Sequence, residues 1–474
     1  MSKIWSVLDI GKRSLMNAQT GLQTVSHNIA NKTTDGYSRQ RVELQSNVPV
    51  GHGNKRIGMG ARTGAVTRTN NSYLEKQITN EGNTLGYNDA KSQVLGRVEQ
   101  VFNEQVNDGL NKFMGDMFNS FRELSNNPES LASRTLVKES ADFLAKDFHR
   151  VSRQLKDIQK DVDYQLATHV SEVNEITKEI ANLNEKIQTV TVSGGPANDE
   201  RDRRDLLVKK LSEKINVQYA ESNTGLLTVT AGNSAILVSG YDQHDLFVSG
   251  TVEGKNKQEG NFEIFFKPNK KGTAINVTRQ ITKGAIGGLL ETRDMKINKY
   301  LSDMDDLAYT LGSKMNEVHS LGYDRYNAKS GNFFTGLNGK KGAAQNINVS
   351  ERILNDVGTI GAAAVKNSPG DNRVANLISS LQQSNLMGGG TNTIDDYYNS
   401  VVGEVGSVAS RVNSEFTSQS NIVKQLKNIR ESISGVSLDE ETTKMIEFQK
   451  SFDASARLIR TADEMMDTVL SIKR

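Results

Sequence analysis

Histidines and adjacent acids are the residues of this sequence best suited to proton transfer or metal binding. His149, His169 and His319 fall within stretches of helical period, and Asp305-Asp306, Asp395-Asp396 and Glu440-Glu441 each set two carboxyl groups side by side, as general acid–base chemistry can use. The spacing completes neither chemistry. There is no HExxH pair, no GxxxxGK[ST] phosphate loop and no GxSxG elbow, and the six histidines are scattered. The chain has no cysteine, which excludes thiolate nucleophiles, cysteine metal sites and disulfides together. Asp395-Asp396 and Glu440-Glu441 stand where helical patterns begin, and acids there are explained by the helix dipole. The reading is a protein without catalytic residues, metal ligands or cofactor, and not an enzyme.

The elements that would position such residues follow from composition and period. With 474 residues, roughly three domains are expected at ~100 to 200 residues each. Only 36% of residues are hydrophobic and 6% aromatic, which suits thin helical bundles better than one thick globule. Fifty-eight basic against 56 acidic residues leave +2, too little for the field that nucleic-acid binding needs. No segment approaches the ~20 apolar residues of a membrane span. Asp9, Lys12 and Arg13 interrupt the start MSKIWSVLDIGKRSL and spoil a secretory core, so the expectation is secretion without a cleaved signal peptide and without membrane insertion.

Both ends of the chain carry heptad seams. Ile4, Leu8, Gly11, Leu15, Ala18, Leu22, Val25 and Ile29 step by four and three, and so do Met445, Phe448, Phe452, Ser455, Ile459, Ala462, Met466 and Val469, broadened by Leu458, Met465 and Ile472. The two seams are expected to pair. A third pattern from Val151 to Val190 implies a rod-like helix that stops at Gly194-Gly195-Pro196. Asn127-Pro128 marks a helix start upstream, and Asn198, followed by Asp199 and Glu200, caps another helix.

Between 216 and 283 the period falls to two, as in Leu227 to Thr230 and Phe262 to Phe266, with turns at Asn223 to Gly225, Gly232-Asn233 and Lys267 to Asn269. Helical period returns from Ile286 to Met315 and from Tyr398 through Val412 and Phe416 to Ile429 and Ile433. Residues 322–395 read as loops and short elements, with a new helix start at Thr393, and residues 41–72 as an extended arm. The fold class is mainly α with an inserted β domain (α+β): long terminal helices pairing as a coiled coil, a central helical bundle and a small β-rich insert. The domains expected are 1–60 plus 435–474, then 61–215 plus 284–434, and the outer insert 216–283.

Residues 26–41, SHNIANKTTDGYSRQR, resemble the N-terminal signature of the flagellar axial protein family, which comprises rod, hook and hook-associated components. Asn28, Ile29, Ala30, Asn31, Thr34, Gly36 and Tyr37 match it, and His27 stands where the family has a further Asn. Asn31 can end the helix in a left-handed conformation, Gly36 can take the positive φ of a tight turn, and Tyr37 can anchor it. Ser38, Arg39 and Gln40 resemble the hook-associated members rather than rod or hook proteins. Residues 434–472 resemble the terminal helix of the same members, with Ser437 and Glu440 spaced as a capping box. Further resemblance lies at Asn198 to Leu207, Gly287 to Asp294 and Asn316 to Asp324.

The resemblance implies a structural component of the bacterial flagellum at the hook–filament junction, outside the cell. It implies passage through the flagellar export apparatus, an export chaperone on the C-terminal helix, and seating between hook protein and the next hook-associated junction protein, with further copies of the chain in a ring or helical turn. A rod or hook protein of the same family is the alternative, and a secreted hydrolase acting on peptidoglycan a third. The hydrolase would need a carboxylate pair in a cleft, for which the β insert is small. The assembly interface is expected at Ile4, Leu8, Leu15, Leu22, Val25 and Ile29 and at Phe448, Phe452, Ile459, Met466 and Val469. The first helix has few charges, so neighbouring subunits are expected to cover it, leaving both termini mobile in a single subunit.

Overall fold

The computed structural model describes residues 2–52, 55–103, 109–222, 224–250, 261–268 and 273–472; the expected turn residues Asn223 and Asn269 and the side chain of Ile472 lie outside the described set. Helix α1 (Ser2–Ala30) leads into a ribbon of β1 (Gln40–Ser46), β2 (Val50–His52), β3 (Lys55–Ile57) and β4 (Ala61–Arg68). The body follows with α2 (Ser72–Phe102), α3 (Leu110–Asn126), α4 (Leu131–Val192) and α5 (Asn198–Lys214). A β region holds β5 (Val217–Glu221), β6 (Leu227–Ala231), β7 (Ala235–Ser239), β8 (Asp242–Gln243), β9 (Leu246–Ser249), β10 (Glu263–Phe266) and β11 (Ile275–Asn276). Helix α6 (Gly284–Glu291) passes through one π turn into α7 (Asn298–His319). After β12 (Phe334–Thr335), α8 (Ala343–Asn346), β13 (Asn348–Val349), α9 (Glu351–Asn355) and α10 (Arg373–Ser380), the chain closes with α11 (Ile394–Ser434) and α12 (Leu438–Ile472).

The two terminal seams meet. Helices α1 and α12 run antiparallel, with Asn28 beside Glu441, Gly21 under the ring of Phe448, Ser14 bonded to Ser455 at 2.7 Å, and Gly11 against Leu458 and Ile459. Small residues on α1 face large ones on α12, which lets the axes close.

The central body forms around α4, a helix of 62 residues. Val151, Leu155, Val162, Leu166, Val173, Ile180 and Ile187 are buried along it. It ends where Gly194 takes a φ of +86°. Two starts differ from expectation. Asn127 closes α3, and Ser130 caps α4 by accepting from the Ser133 amide, because Pro128 cannot donate and the chain needs another turn before helix. The cap of α5 is Ala197 at φ +46°, since the Asn198 side chain instead donates to the Val66 carbonyl.

Residues 41–72 are not a single extended arm. The chain doubles back, with β1 antiparallel to β4 from Gln40–Arg68 to Ser46–Ala61 and Gly64 as the extra residue of a bulge. This ribbon crosses residue 60, where a domain boundary was expected. The β region forms an antiparallel four-stranded sheet, β5-β6-β7-β8, and a three-stranded sheet, β11-β10-β9. Its Leu227, Val229, Val238, Leu246, Ile264 and Phe266 belong to one hydrophobic cluster with the α4 residues. Asn174 and Asn184 of α4 fix it further, bonding both amide and carbonyl of Leu246 and of Leu227.

Residues 322–395 are loops and short elements, with β12 paired to β13 and Thr393 capping α11 through the Asp396 amide. On α11, Tyr398, Val401, Val405, Val408 and Val412 are buried, but Ile429 and Ile433 are exposed while Arg430 and Ser434 face inward. The stripe shifts there because the inward side meets a polar turn.

Candidate functional site

The residues best suited to chemistry are occupied structurally. His319, almost wholly buried, accepts from the Gly361 amide at Nε2 (2.8 Å), so Nδ1 carries the proton and donates to the Gly331 carbonyl (2.6 Å). Burial lowers its pKa to about 4. His149 meets the Ile347 carbonyl at 2.7 Å, and His169 meets Glu172 at 2.9 Å. Asp305 accepts from the Gly342 and Ala344 amides, Asp306 pairs with Lys340, and Asp395 accepts from Gln382. Among the described residues, no three His, Asp or Glu side chains are grouped as a metal would require, and no helix is long and apolar enough to cross a membrane.

The signature segment instead builds a polar junction where α1, the ribbon, α5, α11 and α12 meet. Helix α1 ends as the Asn31 amide bonds the His27 carbonyl, and Thr34 donates to the Asn31 side chain at 3.2 Å. Ala30 and Thr34 are exposed. Asn31 does not take the left-handed conformation; its own side chain donates back to the His27 carbonyl at 3.0 Å and holds the end of the helix. The turn is made at Gly36, φ +81°.

Asn28 is the centre of this junction. Its Oδ1 accepts from the Tyr37 hydroxyl (2.7 Å) and the Gln40 amide (2.9 Å), while its Nδ2 donates to the Gln40 carbonyl (2.9 Å) and to Glu441 Oε2 (2.9 Å). All four bonds of a buried amide are thus made. Burial, with Asp199, Asp202 and Glu441 nearby, pushes the Tyr37 hydroxyl well above its usual range, so it stays a donor.

Charges close around that centre. Arg39 bonds Glu441 through Nε at 2.7 Å and Glu440 at 2.7 Å, while its amide donates to the Ser434 carbonyl. Glu440 therefore serves Arg39, and no capping box with Ser437 forms. Ser38 donates its amide to Asp202 at 2.7 Å, and Arg68 bridges Asp202 and Asp205 at 2.8 and 2.7 Å. Burial still pushes the Asp202 carboxyl up, against the pull of Arg68 and the Ser38 amide. Gln40 bonds Asp199 through Nε2. Arg430 of α11 holds the carbonyls of Gly36 (2.9 Å) and Tyr37 (3.0 Å) and pairs with Glu75 (3.3 Å) and Glu431 (2.6 Å). Buried guanidinium groups placed this way fix orientation, because removing one partner strands the other.

The seam residues lie along one line from this junction. Val25 is buried, but Ile4, Leu8, Leu15, Leu22 and Ile29 are half-buried, as are Phe448, Phe452, Ile459 and Met466, and Val469 is exposed. Outside the seam, Trp5 is 58% and Met16 55% exposed. Arg430 and Arg68 complete the junction without any sign in the sequence, and Glu441 and Asp202, noted there only as one of an acid pair and within a family-like stretch, gave no sign of this role, since their partners are far apart in the chain.

The chain is 29% identical to flagellar hook-associated protein 1 of Bacillus subtilis, over 99% of each chain, and 25% identical to that of Salmonella typhimurium, over 99% of this chain and 100% of that one. Its fold is like that of the flagellar hook junction protein FlgK from Burkholderia pseudomallei, with a TM-score of 0.68 and 15% identity, covering 76% of this chain and 100% of that chain. Residues 430–472 match the flagellar basal body rod FlgEFG protein C-terminal family. Residues 95–334, a little over half of the chain, match the flagellar hook-associated protein FlgK helical domain, and the chain therefore belongs to the FlgK family of flagellar hook-associated proteins.

Proposed function

We propose that this chain joins hook to filament, outside the cell, through its paired terminal helices. The family is structural, a component of the flagellum and not an enzyme. The observation that carries the junction reading is the half-covered seam: one chain supplies two walls, leaving Leu8, Leu15, Leu22, Phe452 and Ile459 half-buried. Completing the burial of such side chains is worth up to about 1.5–3 kcal/mol each. Neighbouring copies, set in a ring or helical turn, are the surfaces that would complete it.

In this reading residues 1–60 with 435–474 form the inner tube, residues 61–215 with 284–434 the next shell, and residues 216–283 the outer side. Hook protein lies on one side and the next hook-associated junction protein on the other. The signature residues Asn28 to Gln40 set the angle between tube and shell. The chain leaves the cell through the flagellar export apparatus. An export chaperone holds the C-terminal helix beforehand by the face, Phe448 to Val469, that later meets α1.

The test is deletion of the gene, restored either by the intact copy or by one carrying Leu15→Asp and Leu22→Asp. Hooks without filaments and flagellin lost to the medium are expected on deletion, with filaments returning only for the intact copy. Normal filaments without the protein would sink the junction reading.

A further inference from the structure

The sequence has a single Asn-Gly step, Asn338-Gly339. An asparagine before glycine is open to attack by its own backbone: the next amide nitrogen reaches the side-chain carbonyl in a five-membered ring, and glycine has no Cβ to hinder the approach. Hydrogen bonds to either group would hold this reaction back. Among the described residues, neither the Asn338 side chain nor the Gly339 amide has a hydrogen-bond partner. Both residues are exposed, and nothing lies within 4 Å of where a Cβ on Gly339 would stand.

The step sits in a short loop between β12 and α8 that is pinned on both sides. Gly336 turns at φ +82° against the Asn346 carbonyl, and Leu337 packs on Gly312 of α7. Beyond the step, Lys340 pairs with Asp306 at 3.0 Å and the Gly342 amide donates to Asp305 at 2.7 Å. Asn338 and Gly339 are the unanchored part of the loop.

The steps most like it are hindered. Asn71, Asn233 and Asn367 precede serine, whose Cβ crowds the attacking nitrogen. Asn71 also spends its side chain on α2, accepting from the Tyr73 and Leu74 amides. Asp35 precedes a glycine, but Gly36 is held at φ +81° with Leu206 3.0 Å from where its Cβ would stand.

We propose that Asn338 is a site of spontaneous deamidation, with the Gly339 amide as nucleophile and aspartate or isoaspartate as product. The Gly339 nitrogen bonds to the Asn338 side-chain carbonyl carbon, and the side-chain nitrogen leaves as ammonia, which carries away the Gly339 amide proton. Water then opens the cyclic imide. Attack at the side-chain carbonyl leaves aspartate; attack at the main-chain carbonyl leaves isoaspartate, with the chain running through the side-chain carbon. Asparagine and water thus become an acid and ammonia, with no oxidant, enzyme or cofactor. Either product sets a carboxylate two residues from Lys340, in competition with Asp306. Isoaspartate also lengthens the main chain between the two anchors of the loop.

The test uses the full chain, purified and held for weeks at neutral and at mildly alkaline pH. Samples are digested with pepsin in acid, which halts the reaction. Mass spectrometry reads the exchange of NH2 for OH, and an isoaspartyl methyltransferase reads isoaspartate. The peptide carrying Asn338 should convert about tenfold faster than those carrying Asn233 and Asn367, and faster still at the higher pH. Gly339→Ala, which meets no neighbour and needs no positive φ, should slow conversion by about tenfold. Asn338→Gln should abolish it, and serves if the first variant disturbs the fold. The same chain unfolded in urea should convert at a similar rate. Conversion of Asn233 ahead of Asn338, an unchanged rate in Gly339→Ala, or a tenfold acceleration on unfolding would overturn the proposal. The readout is covalent, so it is decided apart from the junction reading.

Discussion

Asn28 and Glu441, 413 positions apart, share a buried hydrogen bond of 2.9 Å that ties the end of the first helix to the start of the last. Asn28 also holds Tyr37 and both backbone groups of Gln40, so one amide side chain positions helix, turn and ribbon together.

Asn28→Ala should therefore destabilise the chain by about 1–3 kcal/mol, the cost of stranding buried donors and acceptors. Asn28→Asp should cost more, because it sets a second carboxylate against Glu441. Adding Glu441→Gln to Asn28→Asp should recover part of that loss, since the new amide can donate. Urea unfolding of the two single variants and the double variant checks the coupling; purely additive effects would argue against the bond.

Arg430→Lys keeps the charge and loses the fork that reaches Gly36, Tyr37 and Glu75. A loss of about 1–3 kcal/mol is expected. Amide exchange should quicken at residues 36–40 before it does along α4, and uniform quickening would contradict a local role.

Two helical glycines should respond in opposite directions to alanine. At Gly21 a Cβ would come within 2.6 Å of the Phe448 ring, so Gly21→Ala sets ~1 kcal/mol of helix propensity against overpacking of about 1–3 kcal/mol, and destabilisation wins. At Gly403 nothing lies within 4 Å, so Gly403→Ala should stabilise by about 0.5–1 kcal/mol. Thermal unfolding of the two variants reads both signs.

His319 makes stability depend on pH. Its folded pKa, about 4, lies below the ordinary 6.5, so folding favours the neutral ring. Its contribution is complete above pH 6.5 and is lost as pH falls towards 4, to an extent on the order of 3 kcal/mol. Urea midpoints should fall across that window, and His319→Gln should flatten the fall while keeping an acceptor for Gly361.

Local rules made much of this molecule legible. The seams from Ile4 to Ile29 and Met445 to Val469, the stop at Gly194, the β period of 216–283 and the Thr393 cap each depend on residues a few positions apart, where helix, strand and turn geometry act directly. Errors arose where a residue that suits a local role was claimed by a distant one. Asn198 serves Val66 rather than its own helix, Glu440 serves Arg39, and Ile429 gives up the inward face to Arg430.

The sequence by itself determined that the chain is mainly helical, that its two ends pair, and that its signature segment makes a tight polar turn, because periodicity and backbone preference are local properties. Only the tertiary structure decided which charges meet, doubled residues 41–68 into a ribbon and joined the β region to the core of α4. Glu441, Arg430, Asp202 and Arg68 come from separate parts of the chain. Their hydrogen bonds exist only after packing removes water from the junction, and no spacing in the sequence encodes that.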